Sequence, residues 1–323
     1  MKTRYIKDPK FNMLRESNIN ISIFQFLNSI LDSNMEKELL KYNPHAQITK
    51  KSIDIISNKQ YFNFKIALWT TLLGNIDEDF KQLKSTYEEE KMLDYLFLKP
   101  TKNELNKKEI SVVNLSHILN YIKNNQFYTQ FLTHFYDGER GLSLNNKIVF
   151  MSALDRIQLI YPHMLKSYKR GDIIHAYYLL GRILHILQDL TVPAHVHNDP
   201  HGPTYILGKE DPYETFLSTK VSDKITTVEL YLYLDKAHEK AFNLPYLRGQ
   251  KDINLFVNKL VKYTQQFRTL DRQGTKEKKT GKLNYCELNE QASILIPFSI
   301  YVTKTFVEFT LKQFEKLDKD KKL

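Results

Sequence analysis

The segment Gly181-Arg182-Ile183-Leu184-His185-Ile186-Leu187-Gln188-Asp189-Leu190-Thr191-Val192-Pro193-Ala194-His195 carries the sharpest chemical signal in the chain. His185 and Asp189 stand four apart, a spacing that stacks them on one face of a helix. An imidazole and a carboxylate so placed can grip one metal ion, or can simply pair with each other as a helical ion pair. Gly181 lies one turn earlier on the same face and removes a side chain where another backbone or an ion could approach. Pro193 turns the chain at the helix end, which brings His195 round as a ligand for a neighbouring ion or leaves it on a surface loop.

Three further constellations bear on that choice. Thr133-His134-Phe135-Tyr136-Asp137-Gly138 sets a histidine between apolar neighbours, where it is either a satisfied core residue or a ligand. Gly74-Asn75-Ile76-Asp77-Glu78-Asp79 places three consecutive acids directly after an apolar stretch, and such acids repel one another unless a cation sits nearby. Asn43-Pro44-His45 opens a helix. A helix N-terminus disfavours a protonated imidazole, so His45 is expected neutral and available as a ligand. The lone cysteine, Cys286, excludes thiolate metal sites, leaving histidine and carboxylate as the only ligand chemistry.

Taken in order, these pieces resemble the bacterial zinc-dependent phospholipase C family of the alpha-toxin type, over roughly half the chain, from about His45 to Phe216. The motif Gly-x3-His-x3-Asp-x5-His is met by Gly181, His185, Asp189 and His195, followed by Asn198. His45-Ala46-Gln47-Ile48 looks like the family's first-helix motif, His134-Phe135-Tyr136-Asp137 like its His-Phe-Tyr-Asp motif, and the segment from Gly74 to Asp79 like its Gly-x3-Glu-Asp motif.

The resemblance implies an all-helical domain holding two or three zinc ions. It implies that Asp79, His134, His185 and Asp189 hold the first zinc, and that Asp189 bridges to another that also takes His45. His195 then belongs to a further site, which the family completes with a histidine and a glutamate one helical turn apart. Glu214 fits that glutamate. The histidine is replaced by Glu210, Asp211, His201 or His197, and Asp211 is favoured because Asp211-Pro212-Tyr213-Glu214 is a good helix start that aims both carboxylates the same way.

The chain departs from the family at its N-terminus. The family uses a processed N-terminal tryptophan beside the first-helix histidine, whereas here 44 residues precede His45 and the only tryptophan is Trp69. The interval between Asp79 and His134 is also longer than usual, so the charged stretch 81–125 reads as an insertion that serves as a lid, a partner surface or plain decoration.

The elements that must position these residues are helices. Ten glycines in 323 residues is about 3%, against about 7% in ordinary proteins, which disfavours sandwiches, barrels and Gly-rich phosphate loops. Apolar residues recur at helical spacing over 20–32, 44–57, 61–73, 145–168, 172–190, 212–221, 225–242, 251–269 and 288–318. No alternation signals a sheet, and 274–281 reads as a basic surface loop. The apolar run at 294–302 is short and contains Pro297, so no transmembrane span is expected. No signal peptide is legible at the basic start Met1-Lys2-Thr3-Arg4, although the family is typically exported. The expected organisation is a helical extension over 1–40, one helical domain over 41–318 and a basic tail over 319–323.

The implied activity is phosphodiester hydrolysis through a zinc-activated water, with Asp79 orienting or deprotonating it and Asp77 and Glu78 tuning the proton transfer or meeting a cationic headgroup. The substrate would be a phospholipid, met in transient contact with a membrane surface. Two alternatives stand beside it. Single-strand-specific zinc nucleases share the fold, and a net charge of +10 suits nucleic acid as well as any other phosphodiester. His-Phe-Tyr-Asp and Asp-Pro-Tyr-Glu point away from them. A non-catalytic, metal-binding relative acting as a binding module is the other alternative.

Overall fold

In this computed structural model, the described residues are 40, 43–56, 65–80, 133–138, 152–199, 201, 211–225, 244–245, 247–270, 277–279 and 288–320. The expected helices over 20–32 and 225–242 and the insertion over 81–125 lie outside them, as does the extension up to residue 39. The described residues form eight helices and one small ribbon.

Helix α1 (Pro44–Asp54) starts where Asn43 accepts a hydrogen bond from the Ala46 N–H at 2.8 Å and Pro44 presets the first turn. Helix α2 (Lys65–Phe80) does not stop at Leu73, as its apolar stretch suggested, but continues through Gly74 to Phe80. Helix α3 (Ala153–Arg170) opens on a reciprocal Ser152–Asp155 capping box and closes on Gly171 at φ 86°, a left-handed position that favours glycine. Asp172 then caps helix α4 (Ile173–Asp189) by accepting from the His175 N–H. A single turn, α5 (Pro193–Val196), and helices α6 (Pro212–Ile225) and α7 (Gln250–Thr264) follow.

Thr269–Leu270 and Glu277–Lys279 pair antiparallel as β1 and β2. This ribbon falls where sequence periodicity showed only a loop. It is too short to carry an alternation, and it leaves the architecture all-α.

Helix α4 is the axis of the core, buried from Ala176 through Asp189 on every side. Among the described elements its contact with α2 is the most extensive, and two glycines let the backbones approach. A Cβ on Gly181 would stand 1.9 Å from the Thr71 carbonyl oxygen, and one on Gly74 would stand 1.9 Å from that of Tyr178. Backbone, rather than an ion, occupies the space that Gly181 leaves.

Helix α8 (Leu288–Asp320) runs for 33 residues, through Pro297 and into the expected tail. Among the described residues it is the one helix long and apolar enough, by length and composition alone, to cross a bilayer. However, 72% of its apolar window is buried inside the molecule. Phe298, Phe306 and Phe314 are fully buried, and the Phe314 ring stacks on Tyr168 with centroids 3.8 Å apart. Its hydrophobicity is that of a helix packed on α1, α3, α4 and α6.

Candidate metal centre

The α2–α4 crossing sets up the site. With the two backbones in contact, the Asn75 carbonyl oxygen comes within 2.7 Å of His185 Nδ1. A carbonyl only accepts, so Nδ1 carries the proton and Nε2 is left to face Asp189 Oδ2 at 3.2 Å. One turn of helix therefore delivers both groups to one place, and the neighbouring helix fixes which ring nitrogen is presented.

The same device recurs on other elements. His195, brought round by the Pro193 turn, aligns Nδ1 with the His134 carbonyl at 3.2 Å and Nε2 with Glu214 Oε1 at 2.8 Å. His201 aligns Nδ1 with the Asp199 carbonyl at 2.9 Å and Nε2 with Glu214 Oε2 at 3.3 Å. His45, in the first turn of α1, sets Nδ1 3.0 Å from Gln188 Oε1 and Nε2 3.4 Å from Asp189 Oδ1. In all four, the outer nitrogen is tied to an acceptor and the inner nitrogen faces a carboxylate, the arrangement that orients a histidine for a metal.

His134 is held differently. Its Nδ1 lies 2.7 Å from Asp189 Oδ2 and its Nε2 3.4 Å from Glu78 Oε1. Glu78 is fully buried and receives the Nε–H of Arg156 and of Arg182, each at 2.5 Å. The sequence reading had this acid beside a cation or a headgroup. The cations are two guanidiniums from α3 and α4, and no headgroup reaches a carboxylate so enclosed.

The electrostatics follow from these contacts. Burial, the largest influence, raises the Glu78 carboxyl, but Arg156 and Arg182 outweigh it and hold the group well below its usual value. Burial likewise raises Asp189, and the surrounding imidazoles of His185, His195 and His134 bring it well below the carboxylate range. Burial lowers His201, yet the Glu214 carboxylate drives it up to about 10, and Glu214 is lowered in turn. Burial lowers His134 too, and Asp189 raises it above its ordinary value.

Two groups of donors result. His45, His185 and Asp189 offer ligand atoms within 4.8 Å of one another, with His134 against the same carboxylate, and so do His195, His201 and Glu214. Asp211, favoured on sequence for the second group, is not among its gathered donors. It is buried at the start of α6, where its Oδ1 accepts from the Tyr213 and Glu214 N–H groups at 2.9 and 3.0 Å. His201, one of the other candidates for that position, is the residue whose Nε2 faces Glu214. Glu210 lies outside the described residues, and His197 is 2.7 Å from the Phe267 carbonyl. Asp79 lies in the last turn of α2, and its side chain, like that of Asp77, lies outside the described residues.

Sequence reasoning missed Asn75, Gln188, Arg156 and Arg182. Gln188 and Arg182 left a trace, as an amide and a guanidinium in a mostly apolar helical run that carries the proposed ligands. A cavity of about 10 Å³ beside His45, walled by Ile48, Val192, Leu217 and Leu295, holds about one water and excludes an enclosed lipid-chain pocket there.

No protein-family model matches the sequence, and no curated protein matches it. Among solved structures the fold is similar to alpha-toxin from Clostridium absonum, with 14% identity over 85% of this chain and 64% of that one, at a TM-score of 0.47. It is also similar to Clostridium perfringens alpha-toxin from avian strain SWCP, with 13% identity over 85% of this chain and 63% of that one, at a TM-score of 0.43. The chain thus spans less than two thirds of the length of either toxin.

Proposed function

We propose that this chain is a zinc-dependent phosphodiester hydrolase of the phospholipase C type. The observation that carries the proposal is the shared orientation of His45, His185, His195 and His201, whose Nδ1 atoms are tied to acceptors while their Nε2 atoms converge on two carboxylates. A lone pair facing a carboxylate at about 3 Å is repelled by it until a positive charge sits between them, and the donor set of imidazole and carboxylate suits zinc. Zinc, when bound, supplies concentrated positive charge that screens an anionic phosphodiester and makes water acidic enough to attack it near neutral pH.

The chain's own residues have separate tasks in this reading. Asp189, with its two oxygens turned to different imidazoles, links His45 on one side with His134 and His185 on the other. Glu214 joins His195 and His201. Asp79, with its place on α2 beside Glu78, is the proposed proton acceptor for the attacking water. Asn75 and Glu78 hold rings in place without meeting substrate.

The test combines metal analysis with parallel assays on phosphatidylcholine vesicles and single-stranded DNA, for the unaltered protein, His185→Ala and Asp189→Ala. The proposal expects about two or three zinc ions per chain and headgroup release, with both lost in the variants. Hydrolysis of DNA alone would make the protein a nuclease. Bound zinc with no turnover of either substrate would make it a binding module. Zinc content and hydrolysis that survive both substitutions would defeat the metal assignment.

A further inference from the structure

We infer that Gln188 is a positioning residue that sets the tautomer of His45, and so decides which ring nitrogen is presented to Asp189. The inference rests on the proposed metal site for its consequence, but not for its geometry. Gln188 is buried and immediately precedes Asp189 on α4, so the helix that supplies the carboxylate also supplies the outer partner of a histidine 143 residues away.

The amide orientation is fixed from behind. Gln188 Nε2 donates to Thr49 Oγ1 at 2.8 Å and to Thr303 Oγ1 at 3.2 Å. Thr303 itself donates to the Ser299 carbonyl at 2.7 Å, so its lone pairs are turned to the amide. With the amino group committed on that side, Oε1 must face His45, and an amide oxygen only accepts. His45 Nδ1 therefore holds the ring proton, and Nε2 is bare toward Asp189. The Asn75 amide reaches the same Oε1 at 3.4 Å, which ties this partner to the residue that orients His185.

The alternative tautomer has an acceptor of its own, which is why a positioning residue has something to decide. Asp189 Oδ1, 3.4 Å from His45 Nε2, is an acceptor that would draw the ring proton to Nε2 if nothing competed at Nδ1. A histidine in that state has no lone pair to offer an ion beside Asp189. Gln188 supplies the competing acceptor.

Long-range proton–nitrogen NMR spectra of the full chain, recorded under chelation and above the imidazole titration, report the tautomer directly. Zinc affinity is then measured by competition with a chromophoric chelator. The unaltered protein should show His45 protonated at Nδ1. Gln188→Met, similar in shape but without the acceptor, should move the proton to Nε2 and weaken one zinc equivalent about 10–100-fold. Gln188→Glu keeps the acceptor and should keep the Nδ1–H form, which a merely packing role would not do. Thr303→Val, which removes the hydroxyl behind the amide, should shift the same resonances part of the way. An unchanged His45 in Gln188→Met, an unaltered protein protonated at Nε2, or loss of the Nδ1–H form in Gln188→Glu would each overturn the inference. If the unaltered protein binds no zinc, the proposed function fails, while the tautomer readout still decides the role of Gln188.

Discussion

Replacing Gly181 with alanine sets two effects of opposite sign against each other. In an isolated helix the change is favourable by about 1 kcal/mol, because alanine costs less backbone entropy. In this fold the new Cβ would stand 1.9 Å from the Thr71 carbonyl oxygen and 2.7 Å from the Asn75 nitrogen, both backbone atoms that no rotamer change can move. Real Cβ contacts do not fall below 3.0 Å, so α2 and α4 must separate by on the order of 1 Å. Overpacking of this kind typically costs about 1–3 kcal/mol, and here it also stretches the 2.7 Å bond from His185 to the Asn75 carbonyl and the 2.5 Å pair between Arg182 and Glu78. A net destabilisation of about 2–4 kcal/mol is expected once those losses are added and the propensity gain subtracted. Urea denaturation followed by circular dichroism measures it, and zinc titration should show weaker binding in the same variant. A Gly181→Ala protein as stable as its parent, or more so, would show that the two helices are not in backbone contact, and the account of how His185 is oriented would fall with it.

Other consequences are open to measurement. Glu78→Gln leaves two buried guanidiniums without a counter-charge and should destabilise the fold by about 3–5 kcal/mol at neutral pH. Because the Glu78 carboxyl is held below its ordinary 4.5, its stabilisation is present above that pH and is lost as pH falls. The gap between variant and parent in denaturation experiments should therefore narrow in acid. On the proposed metal assignment, His201→Ala should lose the ion that His195 and Glu214 would share with it. Asp211→Asn, which retains the capping oxygen of α6, should keep both the ion and the stability, as metal analysis and thermal melting would show. Removing zinc with a chelator should lower the melting temperature of the parent, and by less in His185→Ala.

The part of the site that obeys helical spacing was legible in the sequence. His185 and Asp189 meet because residues four apart share a face, and Gly181 one turn earlier marks the face where α2 approaches. What was not legible depended on long-range choices. Asp211-Pro212-Tyr213-Glu214 reads equally as a pair of ligands and as a capped helix start. The cap takes Oδ1, and His201, from outside the motif, comes to the Glu214 carboxylate instead. The acid run Asp77-Glu78-Asp79 correctly called for positive charge, but Glu78 finds it in Arg156 and Arg182, 78 and 104 residues away. Gly74 looked like the end of a helix, and Pro297 like a break in an apolar run. Gly74 lies on a contact face where the missing side chain matters more than the flexibility, and Pro297 is accommodated inside a helix that packing sustains.

The choice between protons and a metal as the charge that holds the histidines to Asp189 can be argued from two rings. His45 and His185 stack with centroids 4.1 Å apart and an interplanar angle of 22°, and both direct Nε2 toward Asp189. If each were held there as an imidazolium, two positive charges about 4 Å apart would repel by about 4 kcal/mol at an effective dielectric of 20, and His134 against the same carboxylate would add to that. At the same dielectric Asp189 draws each ring by about 5 kcal/mol, so a second proton gains only about 1 kcal/mol, and nothing once His134 is charged; an unprotonated Nε2 would confront the carboxylate with a lone pair. A single dication answers both rings at once, because neutral imidazoles do not repel and each contributes its lone pair to the same charge. The stacking disfavours a doubly protonated pair and sets two ring nitrogens beside one carboxylate, which supports the proposed metal over a network of buried ion pairs.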